Sequence, residues 1–175
     1  MRYVGLLRGV NVGGKNKLPM TELRKALSFL PFDNLVTYIQ SGNIVFDSDF
    51  SSTECSTLIS NTISQNFNLN ISVVVFEQTN IIEILDSNPF KKLCEVEKKF
   101  MSFGFLDDYP SEQNCELMES FSNEKEFIKI TENIIFFYCT IGFGKTKLTN
   151  HFMEKKLKVS STMRNYNTTL KLSTL

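Results

Sequence analysis

The 175-residue chain has no tryptophan, a single histidine, His151, only four prolines and only four cysteines. Each scarcity excludes something. One histidine cannot build the imidazole clusters of most transition-metal centres, and Cys55, Cys94, Cys115 and Cys139 lie far apart with no Cys-x-x-Cys pair, so no metal site is expected. Scattered thiols of this kind read as reduced core residues. No apolar run is long enough to span a bilayer, and the N-terminal apolar stretch is too short for a signal peptide. The chain is therefore expected to be cytoplasmic and to have no membrane partner. No Ser-His-Asp order and no paired carboxylates stand out, Glu22 and Glu154 being isolated acids. Whether a reaction is catalysed stays open, and no cofactor is called for.

There is also no net charge, but the zero conceals an uneven distribution. Residues 1–30 carry +5, residues 143–175 carry +6, and the intervening 31–142 carry −11. Charge runs are usually solvated faces. Here both basic ends also hold the segments rich in Gly, Asn and Arg, which favours an anionic ligand.

What is present is led by the stretch Leu6–Met20. An apolar run gives way to Arg8, Asn11, Gly13, Gly14 and Lys15, then to Lys17 and Pro19. Glycine lets backbone approach a ligand closely, and Asn, Arg and Lys add hydrogen-bond donors beside it. A flexible surface loop is the alternative reading. Strand periodicity over residues 2–9 precedes the loop. A helix is predicted from Pro19 to about Leu30, with Met20, Leu23, Ala26, Leu27 and Leu30 on one face. Residues 35–40 and 43–48 read as strands joined by a two-residue Ser41-Gly42 hairpin, 52–67 as a helix and 71–76 as a strand. The order is βαββαβ, the ferredoxin-like arrangement, over residues 1–78. Because a helical crossover makes the first two strands parallel, the Arg8–Lys17 loop and the Gln40-Ser41-Gly42-Asn43 hairpin are expected on one rim of the sheet.

Residues 79–175 read as a second α+β half that loosely repeats the first. A helix at 79–86 and a charged connection, Lys91–Lys98, lead to a strand at 100–106. A helix at 111–120 and strands at 125–131 and 133–140 follow. Gly142-Phe143-Gly144-Lys145-Thr146 is expected to open a helix running to Leu157. An edge strand beginning near Val159 and a helix over Met163–Leu172 complete the chain. Apolar residues on both sides of the 71–76 strand predict that the halves pack together.

The second half offers its own candidates. Gly142–Thr146 ends like a phosphate loop, but Cys139 stands where the full pattern needs glycine, which leaves a helix-terminus anion site at Lys145 or a plain turn. Arg164, Asn165 and Asn167 are placed at the start of the last helix. There Asn165 or Asn167 serves as a cap or a ligand contact, and Arg164 pairs with an acid or holds an anion. His151 reads as structural. The aromatics Phe136-Phe137-Tyr138 lack the basic signature of an RNA-stacking sheet.

Three segments carry a resemblance. Leu6–Lys15, Thr37–Phe46, and Lys145–Asn150 with Arg164–Thr168 are similar to the bacterial domain-of-unknown-function family 1697. The resemblance implies a ferredoxin-like half joined to a second α+β half, and no established activity. Met163 departs from a usual small hydroxyl residue and Tyr166 from a usual Trp, so a catalytic role for that hydroxyl would be absent here. Together these readings give a binding module for a small anion, such as a nucleotide or phosphorylated metabolite, or for nucleic-acid backbone. An enzyme acting on a small phosphorylated substrate and a scaffold with structural polar loops are the alternatives.

Overall fold

The structure, a computed structural model, describes residues 1–90 and 97–175. Cys94 and most of the expected Lys91–Lys98 connection lie outside the described residues. The chain forms two compact units, Met1–Asn80 with Leu175, and Ile81–Thr174.

The first unit runs β1 (Arg2–Leu7), α1 (Met20–Leu27), β2 (Asp33–Tyr38), β3 (Asn43–Asp47), α2 (Ser52–Phe67) and β4 (Val73–Glu77). Its sheet has the order β2-β3-β1-β4, with every neighbouring pair antiparallel. β1 and β2 are thus parallel, with β3 between them. Leu23 and Leu27 of α1, with Ile59 and Ile63 of α2, pack on Leu7, Ile44 and Phe46 of the sheet. Each such fully buried side chain contributes about 1.5–3 kcal/mol. Ser51 starts α2 with a reciprocal capping box to Glu54. Asn68, in the left-handed conformation, ends it.

β2 begins and ends two residues earlier than its alternation suggests. Asn34 takes φ +49° and the register shifts between Asp33 and Val36, a bulge that the apolar pattern does not encode. The β2–β3 connection is consequently a four-residue loop, 39–42, rather than a two-residue turn. The bulge is pinned by Asp47, whose carboxylate accepts from Asn34 Nδ2 at 2.6 Å and from Arg2 Nη1 at 3.2 Å. The Asn34 amide, with Arg2 next, holds the Asp47 pKa below its ordinary 3.8. A lowered folded pKa gives stability that is complete above the unfolded value and lost as pH falls through the folded one. Asp47→Asn should therefore flatten the fall in melting temperature below about pH 4, read from thermal scans of both proteins.

After α3 (Gln78–Ser87) and a 3-10 turn (Lys98–Phe100), the second unit runs β5 (Met101–Leu106), α4 (Glu112–Glu119), β6 (Glu126–Thr131), β7 (Ile134–Cys139), α5 (Asn150–Leu157), β8 (Ser161–Asn165) and α6 (Tyr166–Leu172). The sheet order β6-β7-β5-β8 repeats that of the first unit strand for strand. Its core joins Met118 of α4 and Met153 and Leu157 of α5 to Ile128, Ile135 and Phe137. Cys55, Cys115 and Cys139 are free thiols, and burial pushes the pKa of each up. No helix among the described residues is long and apolar enough to cross a membrane.

Two local expectations are corrected. The residues after Gly142 form a loop, and α5 begins only at Asn150, capped by Thr149. Thr146 is drawn away from any helix start, because its hydroxyl bonds the Glu126 carboxylate and accepts from Leu148 N. Met163, Arg164 and Asn165 belong to β8 rather than to a helix, since each pairs with β5, Arg164 opposite Phe103.

Candidate functional site

The ends of β1 and β2 and the start of β4 meet at one edge of the first sheet. Leu7 N donates to Gly42 O at 2.8 Å, and Arg8 N donates to Ser72 O at 3.0 Å. The long loop after β1 and the β2–β3 loop therefore do share a rim. Gly42 makes the contact possible. Its φ is +75°, and a Cβ there would lie 2.6 Å from Val10 Cγ2 and 2.7 Å from Leu7 Cβ. Both points require glycine.

Within the loop, Val12 and Lys15 close a miniature hairpin whose turn residues Gly13 and Gly14 have φ +58° and +75°. Positive φ at both central residues is the twist-matched turn that favours glycine. Asn11 and Asn16 flank it, with φ +56° and +46°, and Asn11 N donates to Asn16 O. The Asn11 side chain is a clasp. Its Nδ2 donates to Leu18 O at 2.9 Å and to Gln40 O at 2.8 Å, while Oδ1 accepts from Leu18 N at 2.9 Å. Asn43, fully buried, donates to Tyr38 O and Ser41 Oγ and so closes the neighbouring loop. These two amides are engaged in holding backbone in place. The groups turned to solvent are Lys15, Lys17 and Gln40, with Arg8 and Ser41 half-buried.

The rim segments 8–19, 39–42 and 68–72 carry Arg8, Lys15 and Lys17 and no acid; the nearest carboxylate in sequence is Glu22, in the first turn of α1. The opposite edge gathers Asp33 and Asp47, paired across β2 and β3, with Glu77 at the end of β4.

The second unit supplies an internal control. Leu106 N donates to Asn133 O at 2.9 Å and Asp107 N to Ser160 O at 3.1 Å, the same two junctions made by Leu7 and Arg8. There, however, five residues (107–111) join strand to helix, against twelve (8–19) in the first unit. The hairpin loop is two residues (132–133) against four. The charges also differ, Asp107 and Asp108 opening the connection that Arg8 opens in the first unit, and Glu132 standing where the first hairpin has the uncharged Ile39. Neither loop length nor positive charge is thus demanded by the topology.

The remaining sequence candidates lie in the second unit, on separate elements. Lys145 is exposed on the β7–α5 connection. Arg164 is buried in β8, donating from Nη1 to Thr162 Oγ1 at 2.8 Å and to Met163 O at 2.9 Å. Desolvation pushes its pKa down to about 10, so it stays charged at neutral pH. Asn165 caps α6 by accepting from Thr168 N at 2.8 Å, and Asn167 is exposed in the first turn. Met163 packs on β5, its sulfur 2.8 Å from where a Cβ on Gly104 would stand. The position of the usual hydroxyl is therefore a packing position. His151 is exposed near the start of α5. Sequence reasoning did not single out Lys17, the third cation of the loop, although its charge was visible. It also missed exposed Val12 and Ile39, for which no sequence signal exists.

No curated protein matches the chain. Among solved structures, a conserved bacterial protein from Streptococcus pneumoniae is similar in fold, with a TM-score of 0.74 and 24% identity over 98% of this chain and 96% of that one. The model of the family described as protein of unknown function DUF1697 matches residues 1–136, a span that includes the whole basic rim and ends before Lys145 and Arg164. The chain belongs to the DUF1697 family.

Proposed function

We propose that the rim of the first sheet binds an anion carrying phosphate, and that Arg8, Lys15 and Lys17 supply the positive charge. Gln40 and Ser41 add neutral hydrogen-bonding groups, the backbone of Gly13 and Gly14 forms the close-approach surface, Gly42 seats the hairpin on Leu7 and Val10, and Asn11 and Asn43 hold the loops in register. The observation that carries this reading is the internal comparison. The same fold makes the same junction in the second unit with a short, acidic connection, so the long, basic, glycine-rich version has a use beyond joining strand to helix. A surface on which several cations cluster attracts a multivalent anion most strongly at low ionic strength.

The test is titration calorimetry of pyrophosphate at low salt. Wild type should bind, with an affinity that falls as salt rises. Lys15→Ala/Lys17→Ala should bind about tenfold more weakly, the equivalent of about 1.4 kcal/mol. Lys125→Ala, at an exposed site in the second unit, should match wild type. Equal affinity of wild type and the double variant contradicts the assignment.

A further inference from the structure

The rim carries two exposed aliphatic side chains that packing does not explain. Val12 is 64% exposed and Ile39 is 48% exposed. Both adjoin the clasp in sequence, Val12 following Asn11 and Ile39 preceding Gln40, whose O accepts from Asn11 Nδ2. Ile39 also has φ +48°, a conformation that a β-branched side chain rarely adopts. The first loop residue of the second unit's hairpin, Glu132, has nearly the same φ, +53°. The left-handed backbone therefore belongs to the hairpin, whereas the aliphatic side chain is particular to this rim. A strained, solvent-facing isoleucine gains little from burial in return.

We infer that the ligand of this rim is a nucleoside phosphate, its base lying against Val12 and Ile39 and its phosphates against Lys15, Lys17 and Arg8. This rests on the anion reading above and narrows it. A base has apolar faces that a bare phosphate or a sugar phosphate lacks, so it covers exposed aliphatic surface next to a cationic one. Free nucleotide and single-stranded nucleic acid share this chemistry.

The experiment compares pyrophosphate, ADP and a five-residue oligoadenylate by calorimetry with the full-length protein, for wild type, Val12→Ser and Ile39→Ser. Circular dichroism checks that each variant is folded, and a variant that fails is replaced by Val12→Thr or Ile39→Asn. ADP should bind wild type about fivefold more tightly than pyrophosphate, about 1 kcal/mol. Either substitution should bring ADP down to the pyrophosphate level and leave pyrophosphate itself unchanged. Tighter binding of the oligonucleotide than of ADP assigns the base to a strand, and the reverse assigns it to a free nucleotide. Equal binding of ADP and pyrophosphate, or substitutions that weaken both alike, overturns the nucleoside assignment and leaves the anion site standing. Absence of binding by all three ligands overturns both.

Discussion

Gly42→Ala should lower the stability of the first unit by about 3 kcal/mol, combining overpacking of about 1–3 kcal/mol with about 1–2 kcal/mol for an L-residue in the left-handed region. The added methyl group meets Val10 Cγ2 at 2.6 Å and Leu7 Cβ at 2.7 Å, and neither neighbour can retreat easily. Leu7 is fully buried and Val10 is 1% exposed, both in the core beneath the rim. The methyl also pushes apart the Leu7 N to Gly42 O bond that joins loop to hairpin. For a chain of this size, a melting temperature roughly 6–12 °C lower is expected in a thermal scan. Gly13→Ala is the matched control. Its φ is +58° but nothing lies within 4 Å of the added carbon, so only the backbone term, about 1–2 kcal/mol, applies. Equal losses for the two variants would show that the hairpin does not seat on the loop as described.

The second large effect concerns Asn11, whose side chain makes three hydrogen bonds to backbone. Glycine accepts φ +56° freely, so Asn11→Gly removes the clasp without adding backbone strain. Leu18 is fully buried, so its N–H and C=O lose partners at a partly buried site, while Gln40 O is exposed and can turn to water. A loss of about 1–3 kcal/mol follows for the two Leu18 groups. Asn11→Ala should lose about 1–2 kcal/mol more, because alanine resists the left-handed conformation. Native-state hydrogen exchange reads the effect locally. The Leu18 amide should exchange much faster in either variant, and amides of the second unit should not change. Unaltered Leu18 protection would remove Asn11 from its bracing role.

The contrast between these residues and the sequence shows what was legible. Helix α2 is legible end to end, because its apolar stripe, with Cys55, Ile59 and Ile63 buried, is a local signal; the Ser51–Glu54 capping box at its start is a finding of the structure. The rim followed from topology alone, since two parallel strands must end at the same edge. The second unit's predicted elements read as a loose repeat, and its sheet repeats the first strand for strand. Failures occurred where tertiary bonds override local pattern. The Asn34 bulge is pinned by Asp47, thirteen residues on; β2 lies two residues earlier than its pattern suggests, and the following loop is longer. Thr146 is held by Glu126, twenty residues earlier, which converts an apparent helix start into a loop. Arg164 became a strand residue through pairing with Phe103, a partner that no periodicity announces. Among the candidate ligands, donor-rich asparagines gave a mixed signal. An amide that points outward and one that braces its own loop look alike in a sequence, and Asn11, Asn43 and Asn165 are of the second kind.

The central claim, that the basic rim of the first sheet is the anion site, is tested most directly by amide chemical-shift mapping of labelled protein with pyrophosphate at low salt. Shifts should concentrate at Arg8–Lys17, at residues 39–43 and at Ser72, and saturate together, with the second unit's equivalent edge, Asp107–Ser111 and Glu132–Asn133, unmoved. Shifts scattered over both units, or centred on the second, would contradict it.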